Sequence, residues 1–160
     1  PSSCVVTKSG RIHFMEDKPL KKLLESEFLP VLYGDTVLDM DLGFSILSGD
    51  QLVAYLAVLL NADRVIMGID EDGLYSGDPK VGSSARLIRH ATLQELKNIQ
   101  QRLQKAKTPD VTGGMLGKIM ELMPAVERGV PALIVNAAKP NNVFKALKGE
   151  GVVGTLIEKE

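Results

Sequence analysis

The alternation of apolar and polar positions divides the chain into short strands and amphipathic helices. Residues 4–7 and 11–14 are β-type runs on either side of a turn, and residues 36–39 and 44–47 predict a hairpin with a Gly-containing turn. Residues 30–34 and 63–69 are nearly continuous apolar runs, a pattern typical of strands covered on both faces, as in a parallel sheet. Two more strands are predicted at residues 131–135 and 154–158.

Apolar residues at three- and four-residue steps predict the helices between these strands. Ser48 is the expected N-cap of a helix that carries Leu52, Leu56 and Leu60, and Thr92 with Glu95 forms a capping box before another. Further helices are expected at residues 18–27, 114–128 and 141–148. Because strands and helices alternate, the sequence favours an α/β fold in which helices cover both faces of a layered sheet.

Composition and charge narrow the class of protein. The 160 residues are 44% apolar and carry a net charge of −1, which fits one domain and gives no basic surface for nucleic acid. No apolar run approaches the roughly 20 residues that cross a bilayer, so no membrane partner is expected. The single cysteine, Cys4, favours a reducing compartment, with the cytoplasm as the default. We expect the partner to be a small molecule.

Glycine and acidic residues cluster directly after predicted strands. The pairs are Gly34-Asp35 and Gly49-Asp50, and a third cluster spans residues 70–73. In open α/β sheets, ligands bind beyond the carboxyl ends of strands, where glycine lets the backbone approach closely. The alternative interpretation is that these residues only form turns. Three such clusters together favour a ligand site.

A glycine-rich stretch at residues 110–118 precedes a predicted helix with Lys118 in its first turns. Free N–H groups and the helix dipole favour phosphate there, and the lysine adds a compact positive charge. The stretch is not a P-loop, because Thr112 and Ile119 occupy positions where that motif requires Gly and Ser or Thr. A solvated lysine on a Gly-opened helix is the alternative. His13 and His90 lack zinc-ligand spacing, so no metal site is predicted from them.

These motifs, taken in order, resemble a known family. PVLYGD at residues 30–35, SGDQL at 48–52, IDEDGLY at 69–75 and DVTGGM at 110–115 are similar to the C-terminal part of the amino-acid kinase superfamily, as are Asn136 and Gly154-Thr155. Within it, the chain is most similar to the isopentenyl phosphate kinases of archaeal type. The resemblance covers nearly the whole chain. It implies a three-layer αβα sandwich with a mainly parallel open sheet.

The resemblance also implies an activity: the ATP-dependent phosphorylation of isopentenyl phosphate to isopentenyl diphosphate in isoprenoid biosynthesis. ATP and Mg²⁺ are the implied cofactors, with the metal held by nucleotide phosphates rather than by ligands of this chain. Residues 1–60 would end the acceptor-side half and residues 61–160 would form the nucleotide-binding half of a homodimeric enzyme. A related kinase acting on a carboxylate or a nucleoside monophosphate and a non-catalytic nucleotide-binding subunit are the alternatives.

Site residues follow from the same resemblance. Asp50 matches an aspartate that holds two phosphate-contacting lysines, Lys118 matches the second of those lysines, and Gly49 lies beside the acceptor phosphate. The implied nucleotide-binding residues, besides Lys118, are Asp70, Asp72, Gly73, Tyr75, Asp78, Lys80, Gly113 and Gly114. Ile69 stands where the family often has threonine, which removes one hydroxyl contact to the nucleotide.

Two N-terminal motifs of the family have no counterpart among the 160 residues. They are a Lys-x-Gly-Gly-Ser loop and a His-Gly-x-Gly loop that supplies a histidine. We therefore expect this chain to be the C-terminal piece of a kinase that needs its N-terminal half, and to be inactive alone.

Overall fold

The computed structural model describes residues 2–77, 85–98 and 113–160. The chain divides into two compact units, Pro1–Tyr55 and Leu56–Glu160, and the division falls within one helix. Each unit contains a four-stranded sheet. Both sheets are mixed, because each contains parallel and antiparallel pairs of neighbouring strands.

The first unit is built on two hairpins joined side by side. Its elements are β1 (Val5–Lys8), β2 (Arg11–Met15), α1 (Lys18–Glu25), β3 (Asp35–Asp39), β4 (Gly43–Leu47) and the start of α2 (Gly49–Leu59). The strand order is β2-β1-β3-β4. The strands predicted at residues 4–7 and 11–14 and the hairpin at residues 36–47 are confirmed.

A buried carboxylate joins the turns of the two hairpins. Asp39 accepts hydrogen bonds from the backbone N–H groups of Ser9 and Gly10 in one turn and of Asp41 and Leu42 in the other, over 2.8–3.1 Å. Burial opposes ionisation of this group, but the N–H donors prevail and hold the pKa of Asp39 well below its usual range. Asp39 therefore fixes both turns relative to the same sheet.

The prediction of a strand at residues 30–34 is wrong. These residues have no regular secondary structure, and β3 begins only at Asp35. A strand exists through hydrogen bonds to a neighbour, and no described strand pairs with this segment. The segment is apolar, as a buried strand would be, but it has no described strand with which to pair.

The second unit carries the remaining elements. They are the end of α2, β5 (Val65–Ile69), β6 (His90–Thr92), α3 (described over residues 93–98), α4 (Gly113–Glu127), β7 (Ala132–Asn136), α5 (Asn142–Leu147) and β8 (Gly154–Glu158). The strand order is β5-β7-β8-β6. Ile134 and Val135 of β7 are fully buried with Ile119 and Leu122 of α4. The helices expected at residues 114–128 and 141–148 and the strand at 154–158 are confirmed.

One element of this unit differs from the prediction. His90, for which the sequence predicted no strand, begins the three-residue strand β6, which pairs in parallel with β8. A strand this short leaves too little periodicity to recognise from sequence. The capping box that follows is confirmed, because Thr92 N–H donates to Glu95 Oε2 at 2.8 Å and Glu95 N–H donates to Thr92 Oγ1 at 3.3 Å.

The architecture of both units confirms the α/β class. Among the described residues, no helix is long and apolar enough to span a bilayer.

Candidate functional site

The loop that follows β5 is held by a buried asparagine at the end of β7. Asn136 Nδ2 donates to Asp72 Oδ1 at 3.1 Å and to the carbonyl oxygen of Asp70 at 3.3 Å. Its Oδ1 accepts a hydrogen bond from Ala138 N–H at 3.0 Å. β5 and β7 are parallel neighbours whose carboxyl ends coincide, since Ile69 pairs with Asn136. Both amide atoms of Asn136 are therefore used to shape the backbone beyond this sheet edge.

Asp72 also forms an ion pair. Lys139 Nζ lies 2.6 Å from Asp72 Oδ1, with the lysine side chain about half exposed. The hydrogen bond from Lys139, supported by the one from Asn136, lowers the pKa of Asp72 below its ordinary value. Asp72 is thus an oriented, ionised carboxylate, whereas the neighbouring Asp70 is exposed to solvent.

Gly73 is the point of closest backbone approach in this loop. Its φ is +149°, and a Cβ atom built there would lie 2.5 Å from Thr155 Oγ1 and 3.0 Å from Thr155 N. Thr155, fully buried in β8, accepts a hydrogen bond from Leu74 N–H at 2.8 Å. Only glycine allows the loop to rest against β8 in this way.

Tyr75 lies where the loop turns into a short antiparallel pairing. It forms an isolated bridge with Leu87, and Ser76 N–H donates to the Arg86 carbonyl oxygen at 2.9 Å. Asp78 and Lys80, both predicted to bind nucleotide, lie outside the described residues. Of the predicted nucleotide-binding residues, the structure thus brings Asp70, Asp72, Gly73 and Tyr75 together in one ordered loop.

In the first unit, Gly49 and Asp50 lie in the first turn of α2, as predicted. Ser48 Oγ accepts the Gln51 N–H at 3.1 Å, so the serine caps the helix. Gln51 Oε1 accepts the Ile12 N–H at 2.8 Å, which ties the same turn to β2. A Cβ atom on Gly34 would lie 2.8 Å from the Leu47 carbonyl oxygen and 3.2 Å from Gly49 N. The Gly34 and Gly49 clusters are therefore adjacent.

The remaining predicted residues lie on α4. Gly113 and Gly114 are its first two residues, and Lys118 is an exposed residue in its second turn. The helix N-terminus predicted after the glycine-rich stretch is confirmed. The first N–H groups of a helix have no partner within the helix and favour an anion, and we expect that anion to be a phosphate of the nucleotide.

Sequence reasoning assigned no role to three residues that shape the loop after β5: Asn136, Lys139 and Thr155. Asn136 carried a usable signal, because a polar residue that directly ends the apolar run of β7 needs partners when it is buried. Among the described residues, no group of three or more His, Cys, Asp or Glu side chains is placed to hold a metal ion.

The chain is similar to known kinases. A model of the amino acid kinase family matches residues 2–136. The isopentenyl phosphate kinase of Methanothermobacter thermautotrophicus is 43% identical over 98% of this chain and 59% of its own length. The glutamate 5-kinase of Rippkaea orientalis is 33% identical over 88% of this chain and 37% of its own length.

A solved structure agrees with the sequence comparison. An X-ray structure of isopentenyl phosphate kinase, 39% identical, superimposes with a TM-score of 0.81 over 98% of this chain and 56% of that chain. The predicted amino-acid kinase fold is thereby confirmed. The chain spans about three fifths of the length of the Methanothermobacter relative. With the family model matched over residues 2–136, this chain belongs to the amino acid kinase family.

Proposed function

We propose that this chain supplies the ATP-binding part of an enzyme that phosphorylates isopentenyl phosphate to isopentenyl diphosphate, a step of isoprenoid biosynthesis. The observation that carries the proposal is the 43% identity, across 98% of the chain, to a protein named isopentenyl phosphate kinase. Residues 61–160 would form the nucleotide-binding half and residues 1–60 the end of the acceptor-side half. The active assembly would be a homodimer that includes the family's N-terminal part.

Phosphoryl transfer sets the chemical requirements. Negative charge is spread over the oxygens of the moving group in the transition state, so catalysis depends on positioning and on cations rather than on a strong base. The acceptor is itself a phosphate and is nucleophilic at neutral pH. We therefore assign Lys118 to the transferring phosphoryl group and, as the resemblance implies, Asp50 to the orientation of phosphate-contacting lysines.

The loop after β5 supports a nucleotide-side role. Asp70, Asp72, Gly73 and Tyr75 lie in a loop fixed by buried side chains of two strands, which is the preorganisation that a binding loop needs. Gly113 and Gly114 at the start of α4 would present N–H groups to the ATP phosphates. We extend the nucleotide site to Asp78 and Lys80 on the resemblance alone.

Mg²⁺ would enter with ATP. Its chemistry is to neutralise charge on the β- and γ-phosphates, and it keeps several waters when bound in this way. The role of this chain is then to hold the nucleotide through Lys118 and the loop backbone. Gly49, exposed at the start of α2, would contact the acceptor phosphate through its N–H.

The second candidate is a kinase of the same family with a carboxylate acceptor. The 33% identity to a glutamate 5-kinase over 88% of the chain supports it. The nucleotide half would be common to both reactions, because the two differ only in the group that receives the phosphoryl. The lower identity makes this the weaker proposal.

The test is acceptor specificity in a complete enzyme. The chain would be joined to the part of the Methanothermobacter enzyme that it does not match, and ADP release would be measured with isopentenyl phosphate, glutamate or UMP. We expect turnover on the order of 10 s⁻¹ with isopentenyl phosphate and kcat/KM at least about a hundredfold lower with the others.

Two controls complete the design. The 160-residue chain alone should not turn over ATP, and the Lys118→Met variant of the complete enzyme should lose most activity. Faster turnover of glutamate would favour the second candidate. ATP binding without turnover of any acceptor would favour a non-catalytic nucleotide-binding subunit.

A further inference from the structure

The side chain of Gln51 joins the first turn of α2 to the β1–β2 hairpin. Gln51 directly follows Gly49 and Asp50 and is 8% exposed. Its Oε1 accepts the Ile12 N–H at 2.8 Å, and its Nε2 donates to the Gly10 carbonyl oxygen at 3.2 Å. Because an N–H only donates and a carbonyl only accepts, these partners determine the orientation of the amide. Both polar atoms of the side chain are thus used on one hairpin.

The two backbone groups that Gln51 binds lie at the start of the end strand of the sheet. The strand order is β2-β1-β3-β4, and the bonded carbonyl and N–H belong to the residues on either side of Arg11, where β2 begins. In a parallel pair of strands, one residue bonds the two residues on either side of its partner in the same way. The Gln51 amide therefore takes the place of a neighbouring strand at this point.

The hairpin turn that Gln51 binds is itself held on its other side. Ser9 and Gly10 have φ angles of +49° and +75°, the left-handed conformation that a type I′ turn requires at both positions. This conformation is unfavourable for serine, but Asp39 accepts the N–H groups of both residues at 3.1 and 2.8 Å. A helix can be positioned only by an anchor that is itself fixed, and this turn meets that condition.

Gln51 also contributes its backbone to the cap of α2. Its N–H donates to Ser48 Oγ at 3.1 Å. The first N–H groups of a helix lack partners within the helix, so the first turn frays most readily. A methionine of nearly the same length would fill the same space without the two side-chain hydrogen bonds. The amide therefore adds a fixed position to the first turn rather than packing alone.

We propose that Gln51 is a positioning residue for phosphoryl transfer, which holds Gly49 and Asp50 in place by fixing the first turn of α2 to the β1–β2 hairpin. The inference rests on the proposed function, which places those two residues on the acceptor side of the site. Geometry matters there, because a displacement of about 1 Å can lower a rate about a hundredfold. Gln51 itself contacts neither the acceptor nor ATP.

The first test is residue-resolved hydrogen exchange in the complete enzyme with Gln51→Met, which removes both side-chain hydrogen bonds. The Ile12 amide loses its acceptor in this variant. The Leu52 amide, bonded to the Ser48 carbonyl oxygen at 3.1 Å, reports on the first turn of α2. Both amides should exchange at least about tenfold faster than in the parent enzyme. Amides of β5 and β7 serve as the internal reference.

Steady-state kinetics separate positioning from stability. At a temperature well below each melting temperature, Gln51→Met should lower kcat/KM for isopentenyl phosphate at least about tenfold. KM for ATP should stay within about twofold, because the proposed nucleotide-binding residues lie on other elements. Gln51→Asn keeps an amide but is one CH₂ group shorter, so it should behave like Gln51→Met.

Thr92→Val is the matched control for stability. It removes the hydrogen bond from Glu95 N–H to Thr92 Oγ1 at the start of α3, which is also a bond between a side chain and the backbone in the first turn of a helix. The control should lower the melting temperature and leave both kinetic constants within about twofold of the parent values.

Two results would overturn the proposal. Unchanged exchange at Ile12 and Leu52 would show that the amide does not hold the turn, and faster exchange with unchanged kcat/KM would make Gln51 only structural. If Gln51→Met does not fold, Gln51→Asn provides both measurements. A parent enzyme that turned over glutamate or UMP instead of isopentenyl phosphate would reject the proposed function, and the same kinetic comparison would then be made with that acceptor. The two failures are therefore distinguishable.

Discussion

Asn136 and Asp72, 64 positions apart in the chain, are joined by a 3.1 Å hydrogen bond from Nδ2 to Oδ1. Lys139, three residues after Asn136, lies 2.6 Å from the same oxygen. One carboxylate oxygen therefore receives both donors, and both come from the end of β7 and the turn that follows it. This arrangement gives the loop after β5 a defined shape.

The ion pair predicts a pH-dependent contribution to stability. Because Lys139 lowers the pKa of Asp72 below its ordinary value of 3.8, the ionised pair stabilises the folded chain above that pH, and the contribution is lost as pH falls through the lowered pKa. Lys139→Met should thus lower the melting temperature at pH 7 and have a progressively smaller effect below pH 3.8. Denaturation curves at several pH values measure this.

The size of that effect is limited by exposure. The lysine side chain is 52% exposed, so we expect the ion pair to contribute at most about 1 kcal/mol to the free energy of unfolding at pH 7. This contribution should be smaller still in about 1 M salt. Lys159→Met, at an exposed position near the end of the chain, is the control and should have no pH-dependent effect. If Lys139→Met lowered the melting temperature by the same amount at neutral and at acid pH, the ion pair with Asp72 would not be the cause of the effect.

Gly73 predicts a steric effect. Alanine at this position would bring its Cβ atom to 2.5 Å from Thr155 Oγ1 at a positive φ, so the loop or β8 must shift. We expect Gly73→Ala to lower the free energy of unfolding by about 1–3 kcal/mol in urea denaturation. Gly77→Ala is the matched control, because a Cβ atom there meets none of the described residues within 4 Å, and it should cost no more than about 0.5 kcal/mol. Equal losses in the two variants would show that the close approach does not matter.

The sequence correctly predicted the features that depend on neighbouring residues. Ser48 caps α2 and Thr92 with Glu95 forms a capping box, because each needs only residues within one helical turn. The three-residue strand β6 was missed since its partner, β8, is distant in sequence. Residues 30–34 show the opposite error: the apolar pattern was recognised, but a strand also requires a neighbour, which a local pattern does not supply.

In the candidate site too, the sequence predicted the features that depend on local pattern and missed those that depend on distant residues. Glycine and acidic residues after strands identified the loop at residues 70–73, since the pattern follows from strand order. The residues that hold this loop were not identified as such. Asn136 and Thr155 act across 64 and 81 positions in the chain, and such contacts leave no local spacing to read.

Lys118 predicts a kinetic effect in the complete enzyme. A positive charge beside the transferring phosphoryl group stabilises the transition state more than the ground state. Lys118→Ala should therefore lower kcat much more than it raises KM for the acceptor. Removal of one preorganised electrostatic contact costs about 2.7–4 kcal/mol, which is about a hundred- to a thousandfold in kcat. Steady-state kinetics with ATP and isopentenyl phosphate measure it, with Lys159→Ala as the control. A loss below about threefold would reduce Lys118 to a solvated surface lysine.

Asp50 and Ser48 lie two residues apart and allow capping to be separated from catalysis. Ser48 Oγ already accepts the Gln51 N–H at 3.1 Å, so the aspartate is not required as the cap. Ser48→Ala should lower the free energy of unfolding by about 1 kcal/mol and leave kcat nearly unchanged. Asp50→Asn keeps the shape of the side chain but removes the charge proposed to orient phosphate-contacting lysines, so kcat should fall at least roughly a hundredfold while the melting temperature is maintained. Both quantities should be measured in the complete enzyme for each variant. If Asp50→Asn retained full kcat with an unchanged melting temperature, Asp50 would have no place in the site.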